Sequence, residues 1–145
     1  MDKMGMGCQK ERNMDCIFCK IIKGEIPSYK IYEDEKTYAF LDIACDSVGH
    51  TLVIPKKHCA NVLDCDDEYL KACIATAQKI SRHYVEDCGF DGVNIINASG
   101  ESAQQTVFHL HLHIIPRKVG DGIDIWALKD KKDIDLQEIC NKLKI

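Results

Sequence analysis

Gln105-Thr106-Val107-Phe108-His109-Leu110-His111-Leu112-His113-Ile114-Ile115-Pro116-Arg117 is the run whose reading decides the fold. From Val107 to Ile115 nearly every residue is apolar or histidine, and the histidines recur at every second position, the period of a β-strand. His109, His111 and His113 therefore share one face, while Leu110, Leu112 and Ile114 point into a core. Pro116 is expected to end the strand, because it has no N–H for a ladder. Burying three imidazoles side by side without a task would leave polar nitrogens to satisfy and would oppose protonation at low pH. Three histidines on one face make a reaction centre or a metal site. Three histidines alone around one zinc is the weaker reading, since such sites draw ligands from more than one segment.

Working outward from this run, the spacing predicts strands at Lys30–Glu33, at Lys36–Asp42 and at His50–Pro55, with the turn Asp34-Glu35 joining the first two. Gly92–Asn97 is the fourth strand and the histidine run the fifth. Between the third and fourth lies one long helix, opened by Asp64, Asp66 or Asp67, with Leu70, Cys73, Ile74, Ala77, Ile80, Tyr84 and Val85 at three- and four-residue steps and Gly89 closing it. Short helices are expected at both ends: Asp15 caps one through Ile17, Phe18, Ile21 and Ile22, and Ile134, Leu136, Ile139 and Leu143 form the other. The class is α+β, a five-stranded antiparallel sheet with one long helix and short terminal helices. Residues 1–14 are polar and aperiodic and are read as a disordered extension, leaving 15–145 as a single domain.

Composition narrows the function. With 46% hydrophobic and 29% charged residues the chain is an ordinary globular one, and a net charge of −4 supplies no basic footprint for a nucleic-acid polymer. No apolar run reaches the roughly eighteen residues that span a membrane. Nine cysteines are an odd number and the first residues have no apolar signal core, so reduced thiols in a cytoplasmic protein are expected. Cys16-x-x-Cys19 has zinc-ligand spacing, with a redox dithiol as the alternative. Before the histidines, Ser99, Gly100, Ser102, Gln105 and Thr106 can offer donors to phosphate oxygens, with Gly100 allowing close approach.

His109-Leu-His111-Leu-His113-Ile-Ile resembles the signature of the histidine-triad (HIT) nucleotide hydrolases and transferases. The likeness extends to Cys16-Ile-Phe-Cys-Lys-Ile-Ile, Phe40-Leu-Asp-Ile43 and Gly49-His-Thr-Leu-Val-Ile-Pro-Lys-Lys-His58, and is nearest to the small nucleoside phosphoramidase branch with a bacterial-type paired-cysteine start. The resemblance implies a HIT-like fold, a homodimer and hydrolysis of purine nucleoside 5′-phosphoramidates, on an AMP- or GMP-like ligand. It assigns His111 as the nucleophile that forms a covalent nucleotidyl-histidine, His113 and Thr106 near the leaving group, and His50 as a hydrogen-bond partner of the triad. It places Phe18, Ile21, Ile26, Phe40, Ile43 and Val107 around the nucleoside, Asp42 on the ribose, and Asn97 and Gln105 on phosphate. It further implies a structural zinc on Cys16, Cys19, His58 and His109, and no organic cofactor. Three positions depart from the branch: Gln104 replaces a glycine, Thr106 a serine, and Cys45 a common proline. The rival readings are a dinucleoside polyphosphate hydrolase, a nucleotide-binding or scaffold protein with incidental catalysis, and a zinc-dependent hydrolase.

Overall fold

The computed structural model describes residues 15–126, 130 and 132–145; the expected disordered segment 1–14 lies outside them. In chain order the elements are α1 (Ile17–Ile22), β1 (Lys30–Glu33), β2 (Thr37–Leu41), β3 (Thr51–Pro55), α2 (Asp67–Glu86), β4 (Gly92–Ile96), β5 (Leu112–Arg117) and α3 (Leu136–Leu143). The five strands form one sheet in the order β1-β2-β3-β5-β4, and every neighbouring pair is antiparallel. The expected α+β class and the five-stranded sheet with one long helix are what the chain forms.

β2 and β3 sit at the middle of the sheet and are buried on both faces, which is why their sequences read as nearly unbroken apolar runs. On one face Ala39, Val53, Leu112 and Ile114 meet Cys73, Ala77, Ile80 and Tyr84, whose four- and three-residue steps make one stripe of α2. Two buried hydroxyl pairs, Thr37 with Thr76 at 2.8 Å and Thr51 with Tyr84 at 2.6 Å, pin that helix to the sheet. On the other face Phe40, Leu52 and Ile54 pack with Cys16, Phe18 and Ile21 of the amino-terminal segment. Each such side chain removed from water contributes about 1.5–3 kcal/mol. Strand alternation puts the histidines on this second face, where His113 lies opposite Leu52 and Phe18 meets His109 and His111 edge to face.

The histidine run differs from expectation at both ends. The regular strand begins only at Leu112 and runs through Pro116 to Arg117. The register, continued, would set Pro55 against Leu110, but Pro55 has no N–H to give. The Leu110 N–H instead donates to the Cys59 carbonyl at 2.9 Å, and the Pro55 carbonyl accepts from the His109 ring at 2.9 Å. On the other side the Asn97 side chain takes over the ladder, donating to the His111 carbonyl at 3.1 Å. The two-residue alternation survives without the ladder: Leu110, Leu112 and Ile114 are all buried. Pro116 ends nothing, because it faces Val93 inside the β4–β5 pair.

The terminal helix α3 forms, capped by the Asp135 carboxylate, which accepts the Gln137 and Glu138 N–H groups. Its apolar positions Leu136, Ile139 and Leu143 are exposed. No helix of the described residues is long and apolar enough to cross a membrane.

Candidate active site and metal centre

Release of His109 and His111 from the ladder, with His113 kept in it, gives the three histidines different surroundings. His109 is fully buried and its Nε2 donates to the Pro55 carbonyl, so its lone pair is at Nδ1. That Nδ1 lies 3.4 Å from the Cys16 sulfur and 3.5 Å from the Cys19 sulfur, while Cys19 lies 3.3 Å from Nδ1 of His58. The His58 and His109 rings meet at right angles, 4.9 Å between centres. All four ligand atoms fall within 4.8 Å of one another. An ideal tetrahedral zinc separates its sulfur and nitrogen ligands by about 3.6 Å, so the residues present fit a zinc ion. Burial, with Cys16 as neighbour, pushes the Cys19 thiol up to about 12.

Two residues on, the His111 Nδ1–H donates to the carbonyl oxygen of His109 at 2.7 Å. A carbonyl can only accept, which leaves the His111 lone pair on Nε2. Burial holds this imidazole below its ordinary value, so it is neutral and nucleophilic at pH 7. Its ring is 4.8 Å from that of His113 and 5.3 Å from Phe18. His113 is held at about 4 by burial and then by His111 and His50. Its Nδ1 is 2.8 Å from Nε2 of His50, a nearly buried ring whose own Nδ1 lies 2.6 Å from Asp46 and 3.7 Å from Asp42.

His111 and His113 open into a cavity of ≈ 350 Å³ whose other walls include Phe18, Ile21, Ile26, Phe40, Asp42, Ile43, Thr106 and Val107. The structure thus brings the expected apolar residues, the carboxylate and the Thr106 hydroxyl to one slot beside the imidazoles. Ile43 is 80% exposed and forms a lip rather than a wall. Ile17, Pro27, Ser28 and Leu52 join the lining without having been singled out by the sequence.

Asn97 and Gln105 are placed differently. Gln105 is buried with its amide filled: its nitrogen donates to the Ala60 and Val107 carbonyls, and its oxygen accepts from Gly100 N–H and Asn61. It braces the loop from within and is not among the cavity's lining residues. Asn97 accepts from Ser99 through Oδ1 and holds the His111 carbonyl through Nδ2. Gln104, expected from the resemblance to replace a glycine, has φ of 69°, the left-handed conformation that glycine adopts freely and a side chain adopts at a cost of about 1 kcal/mol. The backbone path keeps its glycine-like shape. Asp46 was not legible as a site residue: its only cue is four-residue spacing from His50 in an irregular stretch.

Residues 23–120 match the HIT domain family. Over 133 residues the chain is 48% identical to the protein hit of Bacillus subtilis, covering 89% of this chain and 92% of that one. It is 39% identical over 135 residues to the adenosine 5′-monophosphoramidase of Candida albicans, covering 89% of each. A solved Zn-bound histidine triad family protein from Mycobacterium smegmatis superimposes with a TM-score of 0.74 at 41% identity, over 87% of this chain and 88% of that one.

Proposed function

The chain belongs to the HIT domain family, and from that premise we propose that it hydrolyses purine nucleoside 5′-phosphoramidates, or related nucleoside monophosphate derivatives, through a covalent intermediate on His111. The observation that carries this reading is the His111 Nδ1–H bond to the His109 carbonyl, which turns the Nε2 lone pair toward a cavity of nucleoside size. The phosphoramidase activity named for the Candida albicans relative supports it.

In the first step His111 Nε2 attacks the nucleoside phosphorus, a P–N bond to the enzyme forms, and the bond to the leaving amine breaks as that nitrogen gains a proton. His113 supplies the proton, and the Thr106 hydroxyl stands beside the departing group. In the second step water attacks phosphorus, the P–N bond to His111 breaks, and His113 takes the water proton. Phe18, Phe40, Ile21 and Ile26 enclose the base, and Asp42 accepts from the ribose hydroxyls.

Cys16, Cys19, His58 and His109 would hold one structural zinc. Four protein ligands leave no position for water, so the ion supplies a cross-link between the amino-terminal segment, the segment after β3 and the histidine run. We read the protein as a cytoplasmic homodimer with no organic cofactor, and 15–145 as its single HIT domain. Parallel assays with adenosine 5′-phosphoramidate and diadenosine tetraphosphate test the substrate class. The specificity constant is expected to be higher for the phosphoramidate; a higher value for the tetraphosphate would replace this reading with the polyphosphate hydrolase.

A further inference from the structure

A phosphoramidate releases its amine only when the departing nitrogen is protonated, so the hydrolase reading, on which this inference rests, needs a group that holds a proton and refills. His113 alone is poorly suited, because a buried ring beside two other imidazoles resists charge. Behind it lies a chain of short contacts that runs through His50, the expected partner of the triad, to a carboxylate that neither the motif nor the cavity accounts for. Nδ1 of His113 is 2.8 Å from Nε2 of His50, and Nδ1 of His50 is 2.6 Å from Oδ1 of Asp46. Asp42 is not the equivalent partner: its nearer oxygen stays 3.7 Å from the ring, and its other oxygen accepts the Ala44 N–H at 2.8 Å.

The loop is bent so that Asp46 can reach. Cys45 has φ of 55°, a left-handed conformation. A proline, locked near −65°, could not follow that path. Asp46, the next residue, meets His50 from that turn.

We propose that Asp46 is a positioning residue for leaving-group protonation, acting through His50 on His113. The Asp46 carboxylate accepts Nδ1–H of His50, which turns Nε2 of His50 toward Nδ1 of His113. In the loaded state His50 carries both protons and donates to His113, whose own proton is then on Nε2, facing the cavity. As the P–N bond breaks, its electron pair goes to the amine nitrogen, which takes the Nε2 proton of His113. The Nε2 proton of His50 shifts to Nδ1 of His113, and His50 is left neutral and still bound to Asp46. When water attacks the nucleotidyl-histidine, its proton goes to Nε2 of His113, the Nδ1 proton returns to His50, and the relay is reloaded. The groups facing the His50–His113 pair are Asp42 and Asp46 from the loop and His111 from the same run. The two carboxylates favour the loaded state and His111 opposes it.

Two leaving groups separate this role from a structural one. Adenosine 5′-phosphoramidate bearing an alkylamine needs the proton; the 4-nitrophenyl ester of AMP does not. Asp46→Asn is expected to lower kcat/KM for the first by about tenfold or more and to leave the second within about twofold. Loss of the carboxylate disfavours the protonated pair, so the alkaline limb of the amine profile moves to lower pH. Asp46→Glu should recover part of both effects. Equal losses on the two substrates with an unmoved limb, or no loss on either, would overturn the relay. Imidazole 15N NMR gives a readout independent of turnover: a downfield Nδ1 proton on His50 in the wild type that disappears in Asp46→Asn. Its persistence in the variant would overturn the proposal. A wild type that turns over neither substrate removes the hydrolase reading, and the His50 resonance then decides alone whether Asp46 orients the pair.

Discussion

The carbonyl oxygen of His109 accepts the Nδ1–H of His111 at 2.7 Å, so the backbone of one histidine sets the tautomer of the next, which lines the cavity. His109 is itself held by the Pro55 carbonyl through Nε2 and by the cysteine sulfurs through Nδ1. Whatever fixes His109 therefore fixes the aim of His111.

His111→Ala is expected to lower kcat by at least about a thousandfold, because it removes the imidazole proposed as the nucleophile. Nucleotide binding, resting on Phe18, Phe40 and Asp42, should remain measurable by calorimetry. Rapid-quench mass spectrometry of the wild type should find a nucleotidyl adduct on His111; a wild type without adduct and a variant with normal turnover would exclude the covalent route.

Zinc loss should act through stability. Cys19→Ser removes a sulfur that contacts both His58 and His109, and binding energy at such a site is folding energy. Elemental analysis is expected to give one zinc per wild-type chain and less in the variant, with Tm lowered by about 5 °C or more. The specificity constant of the variant that stays folded should fall less. Zinc well below one per chain in protein purified without added metal, with both thiols freely reactive, would exclude the site.

Stability should fall on acidification partly through His113. Its folded value of about 4 lies below the ordinary 6.5, so between those pH values the unfolded chain binds more protons and stability declines as pH drops. The contribution is fully present above pH 6.5 and lost by about pH 4. For a ring that is only partly buried it is on the order of 1 kcal/mol. Denaturant titrations at pH 7 and pH 4.5 should show a smaller acid loss in His113→Gln than in wild type; equal losses would show that His113 titrates normally.

Leu110→Ala should cost about 2–5 kcal/mol, because the side chain is fully buried on the face opposite the two histidines that flank it in sequence. Turnover should fall beyond what the unfolded fraction explains, since the segment carrying His109 and His111 is held by few ladder bonds. Comparison of kcat per folded molecule with the denaturation midpoint checks this, and a purely stability-linked loss would count against the coupling.

The sequence by itself determined the sheet, its strand count, the long helix and the shared histidine face, because two- and three-to-four-residue periodicities are local consequences of backbone geometry. It also carried the HIT likeness, since the histidine run, the cysteine pair and the Pro-Lys-Lys-His segment are contiguous motifs. The tertiary structure decided which atoms the three histidines meet. Where Pro55 withholds an N–H, the ladder opens and His109 turns to Cys19 and Cys16, 90 and 93 residues away in the chain. No local pattern encodes a contact of that separation. The same holds for Gln105, whose amide bonds to Gly100 and Val107 within the polar loop and to Ala60 beyond it, and for Asp46, which meets His50 from the residue after the left-handed Cys45. Periodicity fixes which face a side chain takes; only the closed chain fixes which atom it meets there.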